Sequence, residues 1–393
     1  MAETEGREIL MHQPRLRSRF NVACAAVLLA LAAAGAGPAS ADEAARRVFV
    51  MGTWLEVTVT APDRSTAMAA AEAALEAVEA TERRLSTWRP DSELTALNSA
   101  RTGTWVNLSS ELARDLREAL GWARLTGGWF NPAVASLVRA WDLRGNGRVP
   151  SEAELAQALD GTHMDAFELR GSEARRIVGT AGVEEGGFGK GVALRDAATA
   201  ALAEHADCVR LDFGGQTHAA GDCPTVRIGI ADPRDRTAVV ANLQLASGSV
   251  ATSGNSERGI VVDGVGLGHL LDPHTGRPAP DFGSVTVLAA DPVAADCLST
   301  ALYSMGPRLG ARWMESQEGI GAVYAIEHGS SVEILASEPL LGRLSFEDPA
   351  VVATPIRSVD RAERPRAGAV FSGLRPSPDG GAAGTERGGG RDW

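Results

Sequence analysis

Gly186-Gly187-Phe188-Gly189-Lys190-Gly191 contains the only lysine of a 393-residue chain that carries 38 lysines and arginines in total, so every other such cation is a guanidinium. The two side chains differ most where a small cation must reach an anionic oxygen through close-packed backbone. Glycines permit that approach. Apolar spacing after the cluster predicts a helix over 190–203, which puts the lysine in the first turn of a helix with a glycine-rich start. Backbone amides and the helix dipole at such a start suit an anion, a diphosphate in particular. Gly191 stands where a P-loop requires a hydroxyl residue, and no G-x-G-x-x-G with a strand-ending acid occurs here, so both nucleotide fingerprints are excluded. A plain strand-to-helix turn has the same composition, and this stretch alone leaves the two readings open.

Outward from the cluster, residues 48–60 alternate as a strand interrupted at Met51-Gly52-Thr53, and 65–85 read as a long amphipathic helix. Ser109 can cap a helix to Leu125 that Gly127-Gly128 closes, and 151–159 read as a short helix. Strands are predicted at 209–213, 226–231, 239–245, 260–262, 285–290, 322–326 and 332–335, with a helix over 292–305. Runs of strands with a few long helices predict an α+β fold rather than a doubly wound parallel sheet.

The ends read differently. Met11 is followed by Arg15, Arg17 and Arg19, an apolar run over 22–34 and Pro38-Ala39-Ser40-Ala41, the pattern of a signal peptide over 1–41 and of export to the periplasm. Residues 358–393 hold too few apolar side chains to order themselves and read as a disordered tail. One folded domain over 42–357 is expected between them. It holds Cys208, Cys223 and Cys297, enough for at most one disulfide. A net charge of −12 argues against a nucleic-acid surface, so an anionic ligand needs local cations or a metal ion.

Asp296 and Thr300 lie four apart on the predicted late helix and share one face, where their oxygens can serve Mg²⁺. The same spacing also describes an acid near a helix start and an ordinary threonine. His269, Asp272, His274 and Thr275 crowd one polar turn, where a histidine suits a general base or a ligand contact better than zinc, for which further ligands are missing. Trp88, Trp129 and Phe130 sit beside polar turns; flat side chains there suit a flavin or adenine ring, although aromatics more often fill cores.

In chain order, these pieces resemble the ApbE family: Met51-Gly52-Thr53; Leu85-Ser86-Thr87-Trp88 through Asp91-Ser92-Glu93 to Asn98; Gly128-Trp129-Phe130-Asn131-Pro132; Gly186 to Gly191; Phe213-Gly214-Gly215; Thr252-Ser253-Gly254-Asn255 through Arg258; His269 to Pro278; Ala295-Asp296 to Thr300. The resemblance implies an α+β fold related to the T-fold, a single two-lobed domain with FAD between the lobes. It implies Mg²⁺-dependent transfer of FMN from FAD to a threonine or serine hydroxyl of an exported acceptor flavoprotein, with release of AMP. Hydrolysis of FAD to FMN and AMP, or flavin binding without catalysis, are the alternatives. By the same resemblance, Gly187 (through its carbonyl), Asp296 and Thr300 hold the metal. Met51, Trp88, Trp129, Phe130, Asn131, Glu184, Lys190, His269, Leu271 and Asp272 contact FAD. His269 is the expected base and Lys190 the expected phosphate contact. Relatives of this kind serve membrane redox complexes, so peripheral association with such complexes is a further expectation. Three positions depart from the family pattern: Asn131 and Glu184 stand where aspartate is common, and Gly187 where alanine or threonine is frequent.

Overall fold

The computed structural model describes residues 41–255, 259–262, 265–348 and 351–356. The expected tail over 358–393, Arg258 and all but the last residue of the expected signal peptide lie outside them. Nine strands form the central sheet: β1 (Asp42–Val50), β2 (Thr53–Ala61), β3 (Cys208–Phe213), β4 (Gln216–Gly221), β5 (Gly248–Gly254), β6 (Gly283–Ala289), β7 (Gly321–His328), β8 (Ser331–Ala336) and β9 (Ala353–Pro355). They lie side by side in chain order. Every neighbouring pair is antiparallel except β8 with β9. The result is α+β, as the alternation of strand runs and helices predicts.

Helices enter as insertions between neighbouring strands. α1 (Arg64–Leu85), α2 (Ser110–Leu125) and α3 (Gly189–Ala203) fall between β2 and β3, and α4 (Pro292–Met314) between β6 and β7. α1 begins at Asp63 and α2 at Ser109, whose side chains accept from Thr66 and Leu112 N–H groups; such caps satisfy amides left over at a helix start. Ala67, Ala70, Ala71 and Ala74 of α1 meet Ala197, Ala198 and Ala201 of α3 over Leu55, Val57 and Val59 of β2. Small side chains let these two helices lie close above one end of the sheet. α4 packs over the middle, where Val285, Val287 and Tyr324 join Phe130 and Phe188 in the largest core.

The opposite face of the sheet is covered only in part. A hairpin of Val226–Ala231 and Val239–Leu245 lays Ile230, Leu243 and Leu245 on Val250, Leu288 and Val323, whereas Phe49 and Trp54 at the β1 end stay exposed. α4 runs past the predicted end at Met305. Gly306, at φ 70° and ψ 170°, breaks the helix, and Pro307 opens a second helical piece. Cys208 and Cys223 form a disulfide at the ends of the β3–β4 hairpin, while Cys297 is buried and free. No helix among the described residues is long and apolar enough to cross a membrane.

Candidate active site

One face of α4 assembles the site. Asp296, Thr300 and Ser304 follow one another at four-residue intervals, so each lies one turn above the last. The Asp296 carboxylate, 3% exposed as a residue, accepts from Lys190 Nζ at 3.0 Å and from the Gly191 N–H at 2.9 Å. A Cβ on Gly191 would stand 2.5 Å from the Pro292 carbonyl oxygen, so only glycine lets α3 and α4 touch closely enough for that pairing. One turn on, Thr300 Oγ1 lies 3.3 Å, and Phe130 Cε2 3.1 Å, from the point a Gly187 Cβ would occupy. Ser304 Oγ, a further turn along, donates to the Leu271 carbonyl at 3.3 Å. The glycine cluster and the 269–278 segment are thereby tied to one helix.

The 269–278 segment follows a hairpin of Gly259–Val262 and Val265–Gly268. Asn255 anchors its start: Oδ1 accepts from the Leu270 N–H at 3.2 Å and Nδ2 donates to the Ala279 carbonyl at 3.1 Å. Asp272 organises the turn, accepting from the His274 N–H and from Thr275 Oγ1, both at 2.9 Å. His274 faces the Gly127 carbonyl at 3.1 Å and packs on Trp129 with ring centroids 4.4 Å apart. This joins the segment to the loop that carries Trp129 and Phe130. Asn131, in the same loop, donates to the Thr162 carbonyl at 2.7 Å and accepts from the Ala133 N–H at 2.9 Å. Asp272 thus spends these bonds within its own turn, whereas Asn131 also ties its loop to Thr162. His269 is half-buried where the hairpin runs into the segment.

Three further expected contacts, Met51, Trp88 and Glu184, lie around the start of α3. Met51 and Gly52 both take positive φ, 47° and 75°, the pattern of a two-residue hairpin turn. Met51 N–H donates to Glu82 at 2.9 Å, and its Cε lies 3.4 Å from the point a Gly189 Cβ would occupy. Glu185 accepts from the Thr87 N–H at 3.0 Å, drawing the Trp88 loop toward the glycine cluster. Glu184 binds Arg144 Nη2 at 2.6 Å. Burial raises the Glu184 pKa to about 7, reinforced by the neighbouring Glu185 and opposed by Arg144. The Arg144 guanidinium lies 4.7 Å over the Trp88 ring. Sequence reasoning passed over Glu185 and Arg144. Glu185 had a visible signal, an acid adjoining the glycine cluster; Arg144 was one guanidinium among many.

Among the described residues no group of three or more His, Cys, Asp or Glu side chains is arranged to hold a metal ion. The donors brought together are one buried carboxylate, one hydroxyl and the Gly187 backbone beside it. All are hard oxygens, and they fit Mg²⁺, which usually keeps several waters and takes few protein ligands.

Comparison with known proteins shows the family. The family model described as "ApbE family" matches residues 51–324, a span that contains every expected site residue. The FAD:protein FMN transferase of Treponema pallidum is 31% identical over 313 residues, covering 73% of this chain and 86% of that protein. That of Rhodobacter capsulatus is 31% identical over 360 residues, covering 88% and 66%. Among solved structures, the ApbE protein of Thermotoga maritima superposes with a TM-score of 0.68 at 31% identity, covering 74% of this chain and 96% of its own. The flavin transferase ApbE of Vibrio cholerae gives 0.66 at 25%, covering 77% and 100%. With the match running through the whole site and the fold shared, the chain belongs to the ApbE family.

Proposed function

We propose that this flavin transferase moves FMN from FAD to a serine or threonine hydroxyl of an exported acceptor flavoprotein, uses Mg²⁺ and releases AMP. The observation that carries the reading is the meeting of Lys190, Asp296, Thr300 and Gly187 at the start of α3. In an acidic protein this is a place where a diphosphate can be received.

The acceptor hydroxyl oxygen attacks the FMN phosphorus, the phosphoanhydride bond to AMP breaks, and AMP departs with the bridging oxygen. His269 accepts the hydroxyl proton. Lys190 leaves Asp296 to meet charge growing on the phosphoryl oxygens, where a cation in a partly dry site stabilises the transition state more than it would in water. Asp296, Thr300 and the Gly187 carbonyl would hold Mg²⁺, which supplies further positive charge at the diphosphate. Met51, Trp88 and Trp129 offer flat or flexible apolar surface to the flavin, and Phe130 backs it from the core. Asn131, Leu271 and Asp272 contribute by fixing their loops. The Cys208–Cys223 disulfide supports an oxidising compartment, in keeping with export to the periplasm.

The test is incubation with FAD, Mg²⁺ and candidate exported flavoproteins, followed by intact mass. A covalent FMN adduct, dependent on the enzyme, is expected. AMP appearing at the same rate without acceptor would identify a hydrolase, and FAD retained without AMP release under any condition would identify a flavin-binding protein. His269→Ala should keep FAD binding while transfer falls roughly 10²- to 10⁴-fold; undiminished transfer removes His269 as the base.

A further inference from the structure

We propose that Arg144 is a positioning residue for FAD, which holds Trp88 by stacking on one face of the indole so that the other face receives a flat ring of the substrate. The inference rests on reading the site as an FAD site. Four observations lead to it.

The turn that carries Arg144 is built more firmly than an ordinary surface loop. Trp141, 3% exposed, donates through Nε1 to the Gly276 carbonyl at 2.7 Å, tying the turn to the 269–278 segment. Asp142 adopts φ 50°, in the left-handed region that non-glycine residues rarely enter. Its carbonyl accepts from Gly145 at 3.0 Å and Gly147 at 3.2 Å, and its carboxylate from the Asn146 N–H at 3.1 Å. Arg148 N–H closes the loop on the Trp141 carbonyl at 3.0 Å.

From this turn the guanidinium makes several engagements at once. Nη1 donates to the Thr87 carbonyl at 3.0 Å, and Nη2 donates to both Glu184 oxygens, at 2.7 and 2.6 Å, and to the Thr87 hydroxyl. The group then lies over the Trp88 ring. One planar fork therefore joins the glycine-cluster side of the site to the Trp88 loop, a task that suits arginine and not lysine.

Trp88 is 68% exposed despite that cover. A tryptophan with one face held by a cation and so much surface still in water is a prepared stacking platform. Free to rotate, the same indole would have to lose rotamer freedom when ligand binds; held by Arg144, it has already lost it.

Glu184 and Glu185 together place two acids beside a region meant for an anionic substrate. Glu185 is occupied by Thr87, through its N–H at 3.0 Å and its hydroxyl at 2.5 Å, and Glu184 by Arg144. Arg144 thus also offsets charge that would repel FAD.

The experiment measures FAD KM and kcat for FMN transfer, and FAD affinity by quenching of tryptophan fluorescence, in R144M, R144K, W88A and the double variant W88A/R144M. R144M should raise KM and weaken FAD affinity about tenfold while kcat stays within about twofold. R144K, which keeps charge and much of the stem, should resemble R144M because an ammonium provides neither the fork nor the plane. In the W88A background, R144M should add less than about threefold, since a residue that acts through Trp88 has nothing left to position. Wild-type KM and affinity in R144M and R144K would overturn the proposal. So would a full tenfold effect of R144M in the W88A background, or a fall in kcat at constant KM. If the wild-type enzyme forms no FMN adduct, the transferase reading fails by itself, and the quenching measurements still decide the role of Arg144.

Discussion

Asp115 and Asp296 are both carboxylates withdrawn from water, with side chains 0% and 4% exposed, yet they are surrounded in opposite ways. Asp115 meets three guanidinium groups: Arg84 at 2.9 Å, Arg114 at 2.9 Å and Arg195 at 2.7 Å. Arg84 reaches on to Asp196 at 2.8 Å and Arg195 to Glu118 at 2.6 Å, so the network clamps α1, α2 and α3 together. Asp296 has one ammonium and one backbone amide. Planar forks saturate the oxygens where charge serves packing. Lys190 is a single point charge with its side chain still 27% exposed, which under the proposed function leaves for a phosphate while Gly191 keeps the carboxylate in place. Under the proposed function, stability and chemistry are separated by the choice of cation.

Removing each carboxylate is the strongest way to break that contrast. Asp115→Ala leaves clustered guanidinium groups without their shared partner and should cost about 3–5 kcal/mol of unfolding free energy, measured by urea denaturation. Transfer per folded molecule should change little. Asp296→Ala frees a lysine that can turn to solvent, and should cost about 1–2 kcal/mol while lowering transfer roughly 10²- to 10³-fold. Equal stability losses would mean that the site is also a packing clamp. Metal-independent turnover in Asp296→Ala would remove the Mg²⁺ assignment.

Exchanging the cations is a gentler probe. Lys190→Arg keeps the charge but brings a wide group to a start of α3 built from glycines, and should lower transfer about tenfold with little change in melting temperature. Arg195→Lys, in the network, should lose at least one of the bonds to Asp115, Glu118 and Asp196 and cost about 1 kcal/mol, with transfer intact. Normal transfer by Lys190→Arg would make the solitary lysine an accident of composition.

The same contrast governs what the sequence disclosed. β2 and β3 were visible because the sheet there is covered on one face, so Leu55, Val57 and Val59 alternate with more exposed residues. β4 and β5 were not, because the hairpin at 226–245 covers the other face as well, and Gln216-Thr217-His218-Ala219 is buried without alternation. Gly306-Pro307 read as the end of α4, whereas the helix resumes beyond the break. At the site, the Asp296 and Thr300 spacing was legible as a shared face, but the approach of Gly187 to Thr300 depends on contacts between distant segments and came only from family resemblance. Arg144 had no signal, since its role depends on where a turn delivers it. The network around Asp115 was equally silent: Arg84, Asp115 and Arg195 lie on three helices whose charged residues read as solvated faces.

Glu118 offers the smallest and most selective test. Burial raises its pKa from an ordinary 4.5 to about 7, with Arg195 opposing the shift and Asp291 adding to it. A carboxyl whose folded value is raised favours the folded state fully below the unfolded value and loses that contribution as pH rises through the folded one. Stability should therefore decline between about pH 4.5 and 7 through this group. Glu118→Gln, neutral at every pH, should flatten that part of the melting profile and leave the pH dependence of transfer as it was, because Glu118 belongs to the clamp and touches none of the transfer residues. A shifted transfer profile with an unchanged melting profile would reverse the assignment and show that charge in the clamp is felt at the site.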